Sequence, residues 1–268
     1  MNRKAVVAGQ FYPGGKDQLE KTVKQLMPAS SQTRTVIMAM VPHAGYIYSG
    51  ALCGQVLSEI KIPERVLLIG PNHRSPSASP AALADYQTWQ TPLGPVSSDC
   101  ETTDMLINAS AIFEIDNRAH SNEHSLEVIL PFLQVARPGV KISALSLGFL
   151  NWEDIEELSR ATAAVITSLH EPLLILVSSD MNHYQPAPQT MLLDNLALAE
   201  IAALNPENLY QVVRRNGITM CGALAAALGL KTALLLGAGQ TRLVGHTHSG
   251  MITGDNSQVV GYAGLWVD

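Results

Sequence analysis

The chain has 268 residues, 47% of them hydrophobic and 15% charged, and its 17 basic and 23 acidic side chains leave a formal net charge of −6. That length and apolar content suit one large or two small cores and exclude fibrous, collagenous and disordered classes. The acid excess, with Lys and Arg dispersed, leaves no basic footprint for a phosphate backbone, so nucleic acid is not an expected partner.

Met1 to Lys4 carries charge, but the apolar stretch Ala5-Val6-Val7-Ala8 ends at Gly9 and is too short for a signal sequence. No apolar run approaches the ~18 residues of a membrane span. Cys53, Cys100 and Cys221 form no CxxC pair and suit a reducing compartment, so a cytoplasmic protein without membrane contact is expected.

The elements then follow an α/β rhythm, in which short Val/Ile/Leu-rich runs end in Gly, Pro, Ser or Asn and give way to helical spacing. Thr35 to Val41 reads as a strand and Gly50 to Ile60 as a helix, followed by a strand at Arg65 to Gly70 and a Ser/Pro loop at Ser75 to Pro80. Ser125 to Ala136 reads as a helix, Ile142 to Leu147 as a strand, Trp152 to His170 as a helix and Leu173 to Val177 as a strand. Helices are expected at Thr190 to Leu204 and at Cys221 to Leu236, the latter Ala/Leu-rich and so buried nearly all round. Arg242 to His248 and Val259 to Val267 read as closing strands. Runs apolar on both faces belong in a sheet covered on both sides, so the expected fold is one three-layer α/β/α domain over residues 1–268 with a mixed, mostly parallel sheet.

In such sheets ligands collect beyond the carboxyl ends of the strands. Three of these ends carry polar chemistry: Pro42-His43-Ala44-Gly45-Tyr46, Gly70-Pro71-Asn72-His73 and Ser178-Ser179-Asp180-Met181-Asn182-His183. Either histidine alone is better read as a residue capping a helix or satisfying a loop carbonyl. Two imidazoles on adjacent strand ends, however, begin a non-haem metal site. Candidates for a third ligand are Asp180, His183, Cys221, His120, His124, His246 and His248. Cys221 stands out because it opens a small-residue helix, where the positive end favours thiolate, although an inert buried thiol is the competing account. Cys53 and Cys100 sit beside no other candidate and read as inert.

Asp180 and His183, three apart after a strand, read as an acid/base pair, with helix capping by Ser179 or Asp180 as the alternative. His120 and His124 have a spacing of four but lack the HExxH arrangement, and Ser121 to His124 reads as a helix start. His246 and His248 point the same way on a strand and read as an edge pair. No GxSxG elbow, GxxxxGK[ST] loop or GxGxxG turn is present in the sequence.

Taken in order, Ala8-Gly9-Gln10-Phe11-Tyr12-Pro13, Pro42-His43-Ala44-Gly45-Tyr46-Ile47-Tyr48-Ser49-Gly50, Gly70-Pro71-Asn72-His73, Glu123-His124-Ser125-Leu126-Glu127, Ser178-Ser179-Asp180 and Thr219-Met220-Cys221-Gly222 resemble the Memo family nearly end to end. Its prokaryotic members are called AmmeMemoRadiSam system protein B. The resemblance implies a fold similar to the class III extradiol (LigB-like) dioxygenases, which use non-haem iron(II) held by two histidines and a glutamate. It also implies a cysteine in the third place, so that His43, His73 and Cys221 are the metal ligands. Asp180 and His183 then line the pocket, His183 in the place of the dioxygenase acid/base, and His124 lies near the cleft. Thiolate donates more charge than carboxylate, favours softer ions such as copper(I) and zinc, and is itself oxidisable, which puts ring cleavage in doubt.

Three functions compete. The first is an iron-dependent redox metalloenzyme acting on oxygen or a small oxygen-bearing substrate, with His183, oriented by Asp180, moving protons. The second is a zinc hydrolase, because two histidines and a cysteine with water form a catalytic zinc arrangement. The third is a non-catalytic ligand- or peptide-binding module, as eukaryotic Memo proteins are associated with signalling and their relatives have been regarded as binders of phosphotyrosine peptides. Arg74 is the only cation immediately beside a proposed ligand and offers no phosphate-binding cluster. The prokaryotic family name implies a functional association with a radical-SAM protein.

Overall fold

The computed structural model describes residues 1–28, 33–75 and 77–268. Its strands are β1 (Asn2–Arg3), β2 (Met38–Val41), β3 (Arg65–Pro71), β4 (Ala81–Leu83), β5 (Thr88–Thr91), β6 (Gly94–Ser98), β7 (Phe113–Ile115), β8 (Lys141–Leu147), β9 (Leu173–Ser178), β10 (His183–Gln185), β11 (Thr241–His248) and β12 (Val259–Val267). They join in one mixed sheet ordered β1-β5-β6-β8-β3-β9-β2-β12-β10, with β11 also on β12 and β4 bridging β7 and β8. At its centre β8, β3, β9 and β2 run parallel.

Side chains alternate across those central strands. Met38, Met40, Leu67, Ile69, Leu145, Ile175 and Val177 face one core, shared with Ile155, Leu158, Leu209 and Leu228 of the helices Trp152–Ser168, Pro206–Arg215 and Ala223–Leu235. Ala39, Val41, Val66, Leu68, Leu174 and Leu176 face the other, shared with Leu19, Val56 and Leu133 of the helices Lys16–Leu26, Ala51–Glu59 and Leu130–Ala136. Both faces are therefore buried, which is why these strands are apolar throughout rather than alternating. Each fully buried Leu, Ile or Val contributes about 1.5–3 kcal/mol, so the two cores dominate the stabilisation. This is the three-layer α/β/α arrangement expected.

Most expected elements lie within a few residues of their places. The helix Trp152–Ser168 starts at a capping box in which Asn151 and Asp154 satisfy each other's backbone N–H groups. The helix expected from Thr190 begins at Ala187, because Pro188 is accommodated in its first turn. Ser125 to Ala136 is a 3-10 turn at Glu127–Ile129 leading into the helix Leu130–Ala136. The helix expected from Cys221 begins at Ala223, with Gly222 as its cap, so Cys221 sits in the turn ahead of it. Of the Ser75 to Pro80 loop, Pro76 lies outside the described residues. No helix among the described residues is long and apolar enough to cross a membrane.

Candidate metal centre

β9 lies between β3 and β2, so the turns that follow these three strands share one rim of the sheet. They bring His43, His73 and Asp180 together. The turn carrying Cys221 is pressed onto the end of β9: Gly222 N–H donates to Ser179 Oγ at 3.1 Å, and a Cβ at Gly222 would stand 2.6 Å from the Ser178 carbonyl oxygen. Only glycine permits that approach. As a result, one ligand atom each from His43, His73 and Cys221 lies within 4.8 Å of the others, and Cys221 Sγ is 3.4 Å from His43 Nε2. A tetrahedral ion with bonds of ~2.1 Å to nitrogen and ~2.3 Å to sulfur asks for donors roughly 3.5 Å apart.

The hydrogen bonds decide which ring nitrogens are free. Ser178 Oγ donates to the Ser125 carbonyl at 2.7 Å, so the same oxygen, 2.7 Å from His43 Nδ1, accepts the imidazole proton there. His73 Nδ1 lies 2.9 Å from Glu123 Oε1, and the ionised carboxylate only accepts. His183 Nδ1 lies 2.9 Å from the Thr219 carbonyl, another pure acceptor. All three imidazoles thus carry their proton on Nδ1 and present an Nε2 lone pair, an assignment that follows from the network. Outer partners of this kind orient metal-binding histidines.

Electrostatics favour neutral rings at His43 and His124. Burial, reinforced by the neighbouring His73, lowers the His43 pKa to about 3, and burial with the adjacent His43 lowers that of His124 to about 4. Burial works to raise Glu123, but the His73 ring and the backbone N–H groups of Ser125 and His73 outweigh it and bring that carboxyl to about 2. Asp180 goes the other way, raised by burial although the His43 N–H donates to its Oδ1 at 2.8 Å. The Cys221 thiol is pushed up by burial and by the Asp180 carboxylate, contrary to the thiolate expected from a helix end. A cation held by the three donors would reverse that balance, because its charge would favour the thiolate. The donor set, two imidazole nitrogens and one sulfur with a second layer of acceptors in place, fits a transition metal or zinc.

The remaining candidates fall into place around this cluster. The His124 ring stacks on His73 with centroids 4.9 Å apart and packs against Phe11 on another side, and its Nδ1 is buried without a hydrogen-bond partner. His73, Glu123 and His124 form a second close group that shares His73 with the first. His183 lies outside both groups. Asp180 does not orient it, as the sequence reading has it; the hydrogen bonds give that task to Thr219, which takes the His183 backbone N–H on Oγ1 at 2.8 Å as well as its ring proton. A strand, β10, follows Asp180, so helix capping there is excluded.

His120 belongs to the one-turn helix Arg118–Ser121 and shares no helix face with His124. It is fully buried, with Nε2 on the Ala82 carbonyl at 2.9 Å. His246 lies on β11 as expected, yet its Nε2 meets the buried Asp194 carboxylate at 2.9 Å rather than solvent. His248 is in neither close group. Cys53, Cys100 and Cys221 are free thiols. Sequence reasoning missed Glu123, Thr219 and Ser125 as supports, and the signal for Glu123 was its place directly before His124 in a family motif.

A cavity of about 540 Å³ opens beside His73 and Cys221, between Pro71, Pro80, Leu147, Phe149 and Leu224. On the other side of the rim, exposed Tyr184 follows His183 with φ 60 where β10 bulges against β12. An aromatic residue held in the left-handed region costs of order 1 kcal/mol or more and marks a locally constrained turn.

Fold and cluster together define an α/β/α protein with a histidine, histidine and cysteine group at the carboxyl ends of its parallel strands. The family profile described as "Memo-like protein" matches residues 3–266. A MEMO1 family protein of Aquifex aeolicus is 39% identical over 265 residues, covering 98% of both chains. Others from Methanopyrus kandleri and Methanosarcina barkeri are 32% and 34% identical, each covering 99% of this chain and 98% and 100% of their own. The chain belongs to the Memo family.

Proposed function

We propose that this protein is a non-haem iron redox metalloprotein acting in a reducing, cytoplasmic setting, with His43, His73 and Cys221 as ligands and oxygen or a small oxygen-bearing molecule as reactant. The observation that carries the reading is the convergence of two imidazole Nε2 atoms, both rings being held through Nδ1, on one sulfur whose other contacts are the Asp180 backbone N–H at 3.3 Å and carbonyl at 3.6 Å. Bound there, iron would supply one-electron chemistry and open positions for a reactant. The chain's own contribution is to hold Nε2 of both ligand histidines toward the cluster through Ser178 and Glu123, and to hold His183 by Nδ1 on the Thr219 carbonyl so that Nε2 is the ring atom that would take the reactant's proton. Burial raises the Asp180 pKa, and its Oδ1 is occupied by the His43 backbone N–H at 2.8 Å.

Metal analysis after anaerobic reconstitution with iron(II) tests this. One equivalent should bind, and be lost in His43→Ala and Cys221→Ala variants that remain folded by circular dichroism. No uptake under reducing conditions contradicts the reading. Zinc loading with hydrolytic turnover and no oxygen consumption would replace iron redox chemistry by zinc hydrolysis. Ligand or peptide binding that persists after loss of all three donors would make the protein a binding module.

A further inference from the structure

The cavity beside His73 and Cys221 has mostly apolar side chains in its walls. Pro71, Pro80, Leu147, Phe149, Leu224 and Ala225 supply its apolar surface, and among the described residues no Asp, Glu, Lys or Arg lines it. Its one amide side chain is already spent. Asn72 Oδ1 accepts the N–H groups of Ser75 at 2.9 Å and Arg74 at 3.2 Å, and its Nδ2 donates to the Ser75 carbonyl at 2.8 Å. Backbone groups along the wall are paired as well, Asn72 N–H with Leu147 O and Gly148 N–H with Pro80 O. Among the side chains of the wall, the polar atoms that stand next to the metal-ligand cluster are the His73 ring and the Cys221 sulfur. Phe149, another wall residue, is 79% exposed and offers a large aromatic face to solvent.

We infer that this cavity receives the apolar body of a small, uncharged reactant whose single polar head faces His73 and Cys221. The inference rests on the metal-centre reading only in taking that edge as the reacting end. A volume of this size lies in the range of small-molecule sites. A charge placed elsewhere on the guest would be desolvated among proline, leucine and phenylalanine side chains without a partner, which disfavours carboxylated, phosphorylated and cationic compounds. An apolar body displaces water from the walls and packs against Leu147, Leu224 and Phe149.

Three probes of nearly equal size separate these cases: benzyl alcohol, benzoate and benzylamine. Each is titrated into methyl-labelled, chelator-treated full-length protein while Leu147, Leu224 and Ala225 methyl resonances are followed. Benzyl alcohol should shift those methyls saturably, with benzoate and benzylamine at least ~10-fold weaker. Leu224→Glu should abolish the benzyl alcohol response while core methyls of Met38 and Leu67 keep their positions. Phe149→Ala, at an exposed site, should weaken it severalfold. Equal binding of either charged probe, a response confined to other methyls, or undiminished binding by the Leu224→Glu variant would overturn the assignment. Iron uptake measured on the same samples keeps the two claims apart. Benzyl alcohol binding without iron uptake removes the metal centre and leaves the cavity assignment standing. Iron uptake without any methyl response overturns the cavity assignment alone.

Discussion

Two polar regions lie side by side in this protein, one buried and one partly open, and they differ in what they leave unpaired. In the first, Arg3 of β1 donates through Nη1 to Glu127 at 2.6 Å, through Nε to the His120 carbonyl at 2.7 Å and through Nη2 to the Glu123 carbonyl, with its guanidinium 4.6 Å from the centre of the Trp89 ring. Glu127 in turn accepts the Val6 and Val7 N–H groups and the Tyr12 hydroxyl. Arg3 is 2% exposed and Glu127 fully buried, so the region is closed and saturated, and its work is to tie the N-terminal arm to the body. In the second, the acceptors at Nδ1 are arranged so that His43 and His73 turn Nε2 toward the Cys221 sulfur. Burial of polar groups alone does not mark a function; ligand-type atoms converging on one point, with the rings held from behind, do.

The largest expected effect breaks the closed region. Glu127→Gln leaves the Arg3 guanidinium without its charge partner and should destabilise the fold by about 3–5 kcal/mol in urea unfolding, as removal of one member of a buried pair does. A cost under about 1 kcal/mol would show that the pair is not a structural lock. Next comes acid. Burial holds His120 neutral with a pKa of about 4 against ~6.5 in the unfolded chain, so the unfolded state binds the extra proton. Its contribution is fully present above pH ~6.5 and is lost as pH falls toward 4, a drop of roughly 3 kcal/mol that His120→Gln should flatten in denaturation curves taken across that window.

Smaller effects sharpen the view of the second region. Glu123→Gln keeps the shape but weakens the hold on His73 Nδ1, and metal affinity measured by competitive chelation should fall about 10- to 100-fold. Unchanged affinity would make Glu123 a structural residue only. Ser178→Ala removes the acceptor for the His43 ring proton and should cost about 1 kcal/mol of metal affinity, near fivefold, with little change in unfolding.

Legibility in the sequence divides along the same physical line. β2, β3, β8 and β9 were readable because strands covered on both faces are continuous apolar runs, and His43, His73 and Asp180 were readable because they stand directly after such runs. The helix Lys16–Leu26 was not, since only Leu19 and Val23 of it are buried amid charged neighbours. Short strands such as β4, of three residues, and the polar β5 carry too little pattern to register. Supports like Glu123 for His73, 50 residues apart, and Thr219 for His183, 36 apart, are set by tertiary approach, on which local spacing is silent.

The most direct test of the account is long-range proton–nitrogen NMR of the ¹⁵N-histidine-labelled protein at neutral pH, before and after one equivalent of zinc(II) as a diamagnetic probe. His43 and His73 should both appear as Nδ1–H tautomers in the metal-free protein, and their Nε2 resonances should move together while His120 and His246 stay in place. An Nε2–H tautomer for either ligand histidine, or Nε2 resonances that ignore the metal, would contradict it.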